Sequence, residues 1–271
     1  MAGSAARDGD QGREILLVTK GHPFEREPFF AMFEEMAGVG WTHVEQPAAQ
    51  ALFDVRHAAP YDAFVLYDMP GIRFHPDRGP DFVEPGPDFR ERLLALLEAG
   101  QGMVFLHHAI AGWPAWEAYA DIVGGRFLYL PGTLRGEARQ DSGYRHGVTH
   151  EVQVVAPHPV TEGVPERFTI TDELYLYEVF EDDVQPLLVS DYGFDAANFY
   201  SAARAVRDRK MFSNDGWTHP PGSRLIGWTR TQGNSRIVYL QCGDDPVAYA
   251  NPHFRRLLRN AIFWVSEPRR G

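Results

Sequence analysis

The 271-residue chain has a single cysteine, Cys242, and no apolar run near the ~20 residues that a membrane-spanning helix needs. A lone cysteine excludes an intrachain disulfide framework and a cysteine zinc cluster, which fits a reducing compartment. Basic residues are in the minority, 26 Lys and Arg against 37 Asp and Glu, for a formal charge of -11. That balance argues against a general nucleic-acid binder, which needs a basic footprint to displace counterions from phosphates. HExxH, CxxC, GxGxxG, GxxxxGK[ST] and GxSxG are all missing. A zincin, a dinucleotide fingerprint, a nucleotide P-loop and a serine-hydrolase elbow therefore find no support, and no nucleotide cofactor is expected. The opening residues 1–12, MAGSAARDGDQG, are small and polar without an apolar stretch, so they read as a disordered tail and not as a signal peptide. The expectation is a cytoplasmic protein with a small neutral ligand and neither a membrane nor a nucleic-acid partner; self-association is left open.

What is present is a core-sized apolar fraction, 44% of residues, arranged as alternating short apolar runs and amphipathic stretches. Glu14 to Thr19, Thr42 to Val44 and Ala63 to Tyr67 read as strands, Pro28 to Met36 and Pro87 to Glu98 as helices. This alternation predicts a parallel sheet with right-handed crossovers. Residues 72–86, rich in Pro, Gly and charge, read as a surface excursion forming a lid or rim. After Gly124-Gly125 come short β-like runs at Val152 to Val155, Phe168 to Ile170, Val184 to Val189, Arg224 to Trp228 and Ile237 to Leu240, then a helix over Pro252 to Val265. The second half is expected to extend the first sheet with antiparallel strands. Without a linker or an internal repeat, residues 13–268 read as one domain.

The strand Gly102 to Leu106 ends in His107-His108, with Trp113-Pro114 beyond. Open α/β sheets bind ligands at the carboxyl edge of their strands, so a histidine pair there is a site candidate. Other parallel strands deliver His22 and Asp68 to the same edge. His107 and His108 face opposite ways if the strand stays extended, so one of them aims into the cleft. A histidine whose ordinary pKa is ~6.5 can move protons near neutral pH. Asp172 and Glu173, adjacent on an extended segment, also face opposite ways, so one takes the site and the other is solvated, and Glu173 is the choice for the site; the alternative is that Asp172 caps a turn and Glu173 pairs with an arginine. Tyr175 could donate to a sugar hydroxyl, and Trp113 could stack on a sugar ring. His146 and His150 fall in a loop-and-strand stretch and receive no metal role. His22, His107 and Glu173 would form an acceptable ligand set for a divalent metal such as zinc, though nothing in the spacing demands one.

The segments GMVFLHHA, WEAYADIVGGRF, HPVTEGVP, TDELY and GWTRTQGNSRIVYLQCGDDPVAYANPHFRRLLRNAIFWV together resemble the ThuA family, named for trehalose utilisation. The resemblance implies a flavodoxin-like, class I glutamine amidotransferase-like three-layer sandwich, its mainly parallel sheet extended by antiparallel strands. In amidotransferases a cysteine occupies the turn after the equivalent strand, where this chain has His107, so amidotransferase chemistry is not expected. The resemblance also sets the direction of the late strand that brings Asp244 to the edge, at a position where family members commonly have histidine. It implies an enzyme acting on a disaccharide-derived or oxidised (keto) sugar. Taken with the strand ends, the expected catalytic residues are His107, Glu173 and His22, and the expected substrate contacts are His108, Asp68, Tyr175, Asp244 and Trp113. The other reading is a noncatalytic sugar-binding or regulatory protein that keeps the cleft without the nucleophile.

Overall fold

A computed structural model describes residues 12–267, and ten of its strands form one mixed sheet. They are β1 (Arg13–Lys20), β2 (Val39–Glu45), β3 (Ala63–Asp68), β4 (Gly102–Leu106), β5 (Gly143–Val154), β6 (Arg167–Leu176), β7 (Gln185–Ser190), β8 (Tyr200–Ser201), β9 (Leu225–Gln232) and β10 (Ser235–Leu240). Their order is β6-β5-β7-β9-β10-β4-β3-β1-β2, with β8 paired to β5. From β2 through β1, β3 and β4 to β10 every pairing is parallel. From β10 through β9, β7 and β5 to β6 every pairing is antiparallel. The tail expected over residues 1–12 lies almost wholly outside the described residues.

At the centre of the parallel half, β3 and β4 have no exposed face, whereas the edge strand β2 is only partly covered. Every residue of β3 and of β4 is buried, as near-continuous apolar runs require when helices cover both sides. Alternate residues feed two cores. Ile15, Leu17, Val65 and Val104 meet α1 (Arg26–Glu34) and α4 (Pro252–Val265) through Phe29, Phe33, Leu257 and Ile262. Leu16, Val18, Phe64 and Phe105 meet α2 (Pro87–Ala99) and α3 (Glu117–Val123) through Phe89, Leu93 and Ile122. The result is the three-layer α/β arrangement that the sequence implied. Helix α4 starts where its signals place it: Pro252 follows Asn251, whose side chain accepts the amides of His253 and Phe254.

The antiparallel strands β5 and β6 are longer than the runs Val152 to Val155 and Phe168 to Ile170: β5 begins at Gly143 in a stretch where Gly, His and charge interrupt the alternation, and β6 continues through the buried polar pair Asp172-Glu173 to Leu176. Residues 72–86 fold into a small hairpin, Ile72–Arg73 against Asp81–Phe82. Among the described residues, no helix is long and apolar enough to cross a membrane.

Candidate functional site

At the end of β4 the chain leaves the strand abruptly. His107 adopts φ +47 and opens a 3-10 turn over His107–Ala111. A left-handed conformation costs a non-glycine residue ~1–2 kcal/mol, so surrounding contacts must hold it there. They do. The His107 ring has no exposed surface, and its Nδ1 lies 2.6 Å from the carbonyl of Gln241 beyond β10, so Nδ1 donates. Its Nε2 faces Tyr175 Oη at 2.7 Å, Glu173 Oε2 at 3.0 Å and Asp244 Oδ1 at 3.4 Å. The outer oxygens of the same carboxylates face His146: Nδ1 lies 3.2 Å from Glu173 Oε1 and 3.6 Å from Asp244 Oδ2.

Two strands that are not sheet neighbours contribute to this cluster, and Asp172 ties them together. Its carboxylate accepts the backbone amides of Gly243 (2.7 Å) and Asp244 (3.1 Å), fixing the turn that presents Asp244. Gln241 Nε2 donates to the Glu173 carbonyl at 3.2 Å. Alternation along β6 then turns Glu173 and Tyr175 away from that tie and towards His107. Glu173 faces the cluster, while Asp172 is not the solvated partner expected from sequence but is buried, accepting backbone amides.

Beside the cluster stands a second imidazole pair. His108 and His22 stack with ring centroids 4.5 Å apart, and the His108 ring lies 5.6 Å from that of His107. His108 Nε2 meets the Tyr67 carbonyl at 3.2 Å and so carries the proton, which leaves Nδ1 with a lone pair. Nδ1 of His108 and Nδ1 of His22 are both buried with no protein partner. A cavity of about 680 Å³ opens over these groups, lined by His22, His108, His146, Glu173 and Tyr175. Its remaining wall is largely apolar, including Phe74, Phe127, Tyr129, Tyr144 and Met211.

The two pairs of histidines differ in electrostatic character. Burial lowers the pKa of His107, but hydrogen bonds to Asp244 and Glu173 outweigh it and carry the ring well above the usual range. Burial works against ionisation of Asp244 too, yet His107 and His146 hold its carboxyl well below the usual range. His146 is raised by its hydrogen bond to Asp244, against burial. His108 is pushed well below the ordinary imidazole value by burial and by the charges of His22 and His107. His22 is lowered as well, by burial and then by His107. One wall thus presents neutral imidazoles, and the floor presents imidazoles engaged with carboxylates.

The structure brings together His22, His107, His108, Glu173, Tyr175 and Asp244 from the residues singled out in the sequence. His108, not His107, lines the cavity; His107 sits behind Glu173 and Tyr175. His22 stacks on His108 instead of joining His107 and Glu173, and Asp244 completes that group of potential ligand atoms, which lie within 4.8 Å of one another. Asp68 and Trp113 are not brought to this cavity. Asp68 is buried against Gln46, and Trp113 packs on Phe89, both around a separate small void that Tyr119 also lines. Trp116 and Trp228 are likewise core residues, so no tryptophan lines the large cavity. His146, 44% exposed, is the residue that sequence reasoning passed over. A bulge between Arg145 and Val148, with Gly147 at φ +63, turns it inward, and the bulge leaves only that glycine as its trace in the sequence. The 72–86 hairpin supplies Phe74, His75 and Pro76 to the cavity wall, the rim position expected of it.

A parallel α/β sheet with an antiparallel arm and a histidine–carboxylate cluster at its carboxyl edge defines a class of site without fixing a reaction. The chain belongs to the ThuA family: the family profile, described as trehalose utilisation, matches residues 15–265. Among solved structures it is similar to a ThuA-like protein from Parabacteroides merdae ATCC 43184, 16% identical, with 94% of this chain and 90% of that chain covered and a TM-score of 0.62. A ThuA-like protein from Bacteroides uniformis ATCC 8492 is 17% identical over 97% and 95% of the two chains, also at 0.62. Cytoplasmic protein STM1381 from Salmonella typhimurium LT2 is 10% identical over 94% and 100%, at 0.55. At these identities the likeness is one of fold. No curated protein matches the chain.

Proposed function

We propose that this protein is an enzyme of carbohydrate catabolism that acts on a disaccharide-derived, oxidised (keto) sugar by proton transfer. The observation that carries the reading is the juxtaposition at one cavity of a neutral imidazole with an unpartnered nitrogen, His108, and a cluster of opposite character that reaches the cavity through Glu173 and His146, with His107 and Asp244 behind them. A keto group makes the C–H on the adjacent carbon acidic. His108 Nδ1 accepts that proton, and the electron pair passes onto the carbonyl oxygen, which then carries negative charge. His146, the imidazole of that cluster that lines the cavity and whose pKa is raised by Asp244, supplies the positive counterpart that such an oxygen needs. This assigns the base role to His108, and to His107 the role of holding the floor. His107 Nδ1 is committed to the Gln241 carbonyl and its Nε2 is surrounded, so neither nitrogen is free to take a proton from substrate.

The family description supports a sugar as the substrate, and the cavity volume is ample for a disaccharide ring pair. The test is to incubate the purified protein with 3-keto disaccharides and with their parent sugars. Consumption of a keto sugar with the parent left intact is expected. Consumption of the parent alone, or of neither across a panel of keto disaccharides, would overturn the reading.

A further inference from the structure

We propose that His107, Glu173 and Asp244 hold a divalent metal ion, zinc or another first-row transition ion, next to the cavity wall that Glu173 and Tyr175 form. The inference deepens the functional reading above, since the ion would add to the positive charge that reading calls for, but the site itself stands on the side chains alone.

Three features point to it. The first is spacing. An ion bonded at about 2.0–2.1 Å in tetrahedral geometry separates its ligand atoms by about 3.3 Å. His107 Nε2 lies 3.0 Å from Glu173 Oε2 and 3.4 Å from Asp244 Oδ1, around that value. Charge-assisted N–H···O bonds between an imidazolium and a carboxylate are shorter, about 2.7–2.9 Å. The second is the tautomer. A metal-binding histidine usually donates its other ring nitrogen to a carbonyl or carboxylate, and His107 Nδ1 does so to the Gln241 carbonyl at 2.6 Å. Its Nε2 is then a lone pair beside two carboxylates, which can accept from the Tyr175 hydroxyl at 2.7 Å or bind a cation held between those carboxylates. The third is the outer shell. His146 Nδ1 bridges the outer oxygens of both carboxylates at 3.2 and 3.6 Å, and Asp172 fixes the backbone amides of Gly243 and Asp244.

Two carboxylates balance the ion's charge, and the imidazole nitrogen favours a transition ion over calcium or magnesium. The Tyr175 hydroxyl, 2.7 Å from Nε2, must give up that contact when the ion binds.

The test uses tag-free full-length protein stripped with a chelator and dialysed. Zinc, manganese and cobalt salts are then titrated by calorimetry, and the visible absorption of bound cobalt is recorded. One ion per chain is expected, with affinity at least about tenfold weaker in Asp244→Asn and in His107→Gln and a smaller loss in His146→Ala. Circular dichroism of the variants checks that each is folded. Failure of the stripped wild type to bind any of the three ions more tightly than Asp244→Asn would overturn the inference, leaving His107 as an imidazolium. The two proposals fail separately. Keto-sugar turnover by fully stripped protein would sink the metal's role and keep the sugar reading, whereas stoichiometric binding without turnover of any keto sugar would do the reverse.

Discussion

Replacing Asp68 by asparagine should make the protein more stable at pH 8 and leave it nearly unchanged near pH 4. The carboxyl is fully buried, receives one hydrogen bond, from Gln46 Nε2 at 2.8 Å, and its Oδ1 has no partner. Burial pushes its pKa up to about 7. Against an unfolded value of ~3.9, the difference is about 3 pH units, or about 4 kcal/mol at ~1.36 kcal/mol per unit. The folded state binds the extra proton in this window, so stability falls as pH rises from about 4 to about 7 and levels off above. Asparagine keeps an oxygen for Gln46 and cannot ionise. Near pH 4 the wild-type carboxyl is neutral as well, with an unpaired donor like that of the amide, so the two proteins should match. The stability difference should open by up to about 1.4 kcal/mol per pH unit and reach a ceiling of about 4 kcal/mol at pH 8, reduced by any relaxation around the charge. Urea unfolding of both proteins at pH 4, 5, 6, 7 and 8 reads it, since groups common to both cancel in the difference. A flat difference, or a variant that is less stable at pH 8, would refute the reasoning. The variant should also leave the KM for a keto sugar unchanged, because Asp68 does not line the cavity.

Cys242→Ala should retain full activity, because the thiol is buried in the core and its pKa is raised by that burial, which makes it an inert packing group; loss of turnover in a folded variant would contradict this. Gly21→Ala should lower the urea midpoint markedly and disturb His22: φ is +101, and a Cβ there would sit 2.3 Å from the Met69 carbonyl oxygen, so an unshifted midpoint would show that the strand end yields freely.

The fold was legible where burial and local chemistry agree. β4 is apolar throughout, and β3 up to its terminal Asp68, because both faces are covered, and α4 carries Asn251 and Pro252 at its start, so each announces itself in the sequence. The nearness of His22 and His107 was legible from parallel strands sharing one edge, and that of Asp244 from the family resemblance that set the late strand's direction. Glu173 belongs to an antiparallel strand far along the sheet, and its place at the site depends on the tertiary tie from Asp172 to Gly243 and Asp244. Periodicity carries no signal for such a tie; the resemblance of the TDELY segment marked it. Asp68 shows the opposite effect: a polar strand end reads as a ligand contact, yet Gln46 covers it. His146 needed a bulge, which displaces a side chain without altering the composition around it.

The central claim, that His108 takes a proton from the carbon beside a sugar keto group, is tested most directly by solvent exchange. A 3-keto disaccharide is incubated with protein in deuterium oxide, and the signal of the C–H next to the carbonyl is followed by nuclear magnetic resonance. The expected result is enzyme-dependent loss of that signal, at least about a hundredfold slower in His108→Gln. Glutamine can still donate to the Tyr67 carbonyl but has no basic nitrogen, so sugar binding by the variant, measured by calorimetry, should persist. Exchange at the wild-type rate in folded His108→Gln would contradict the account.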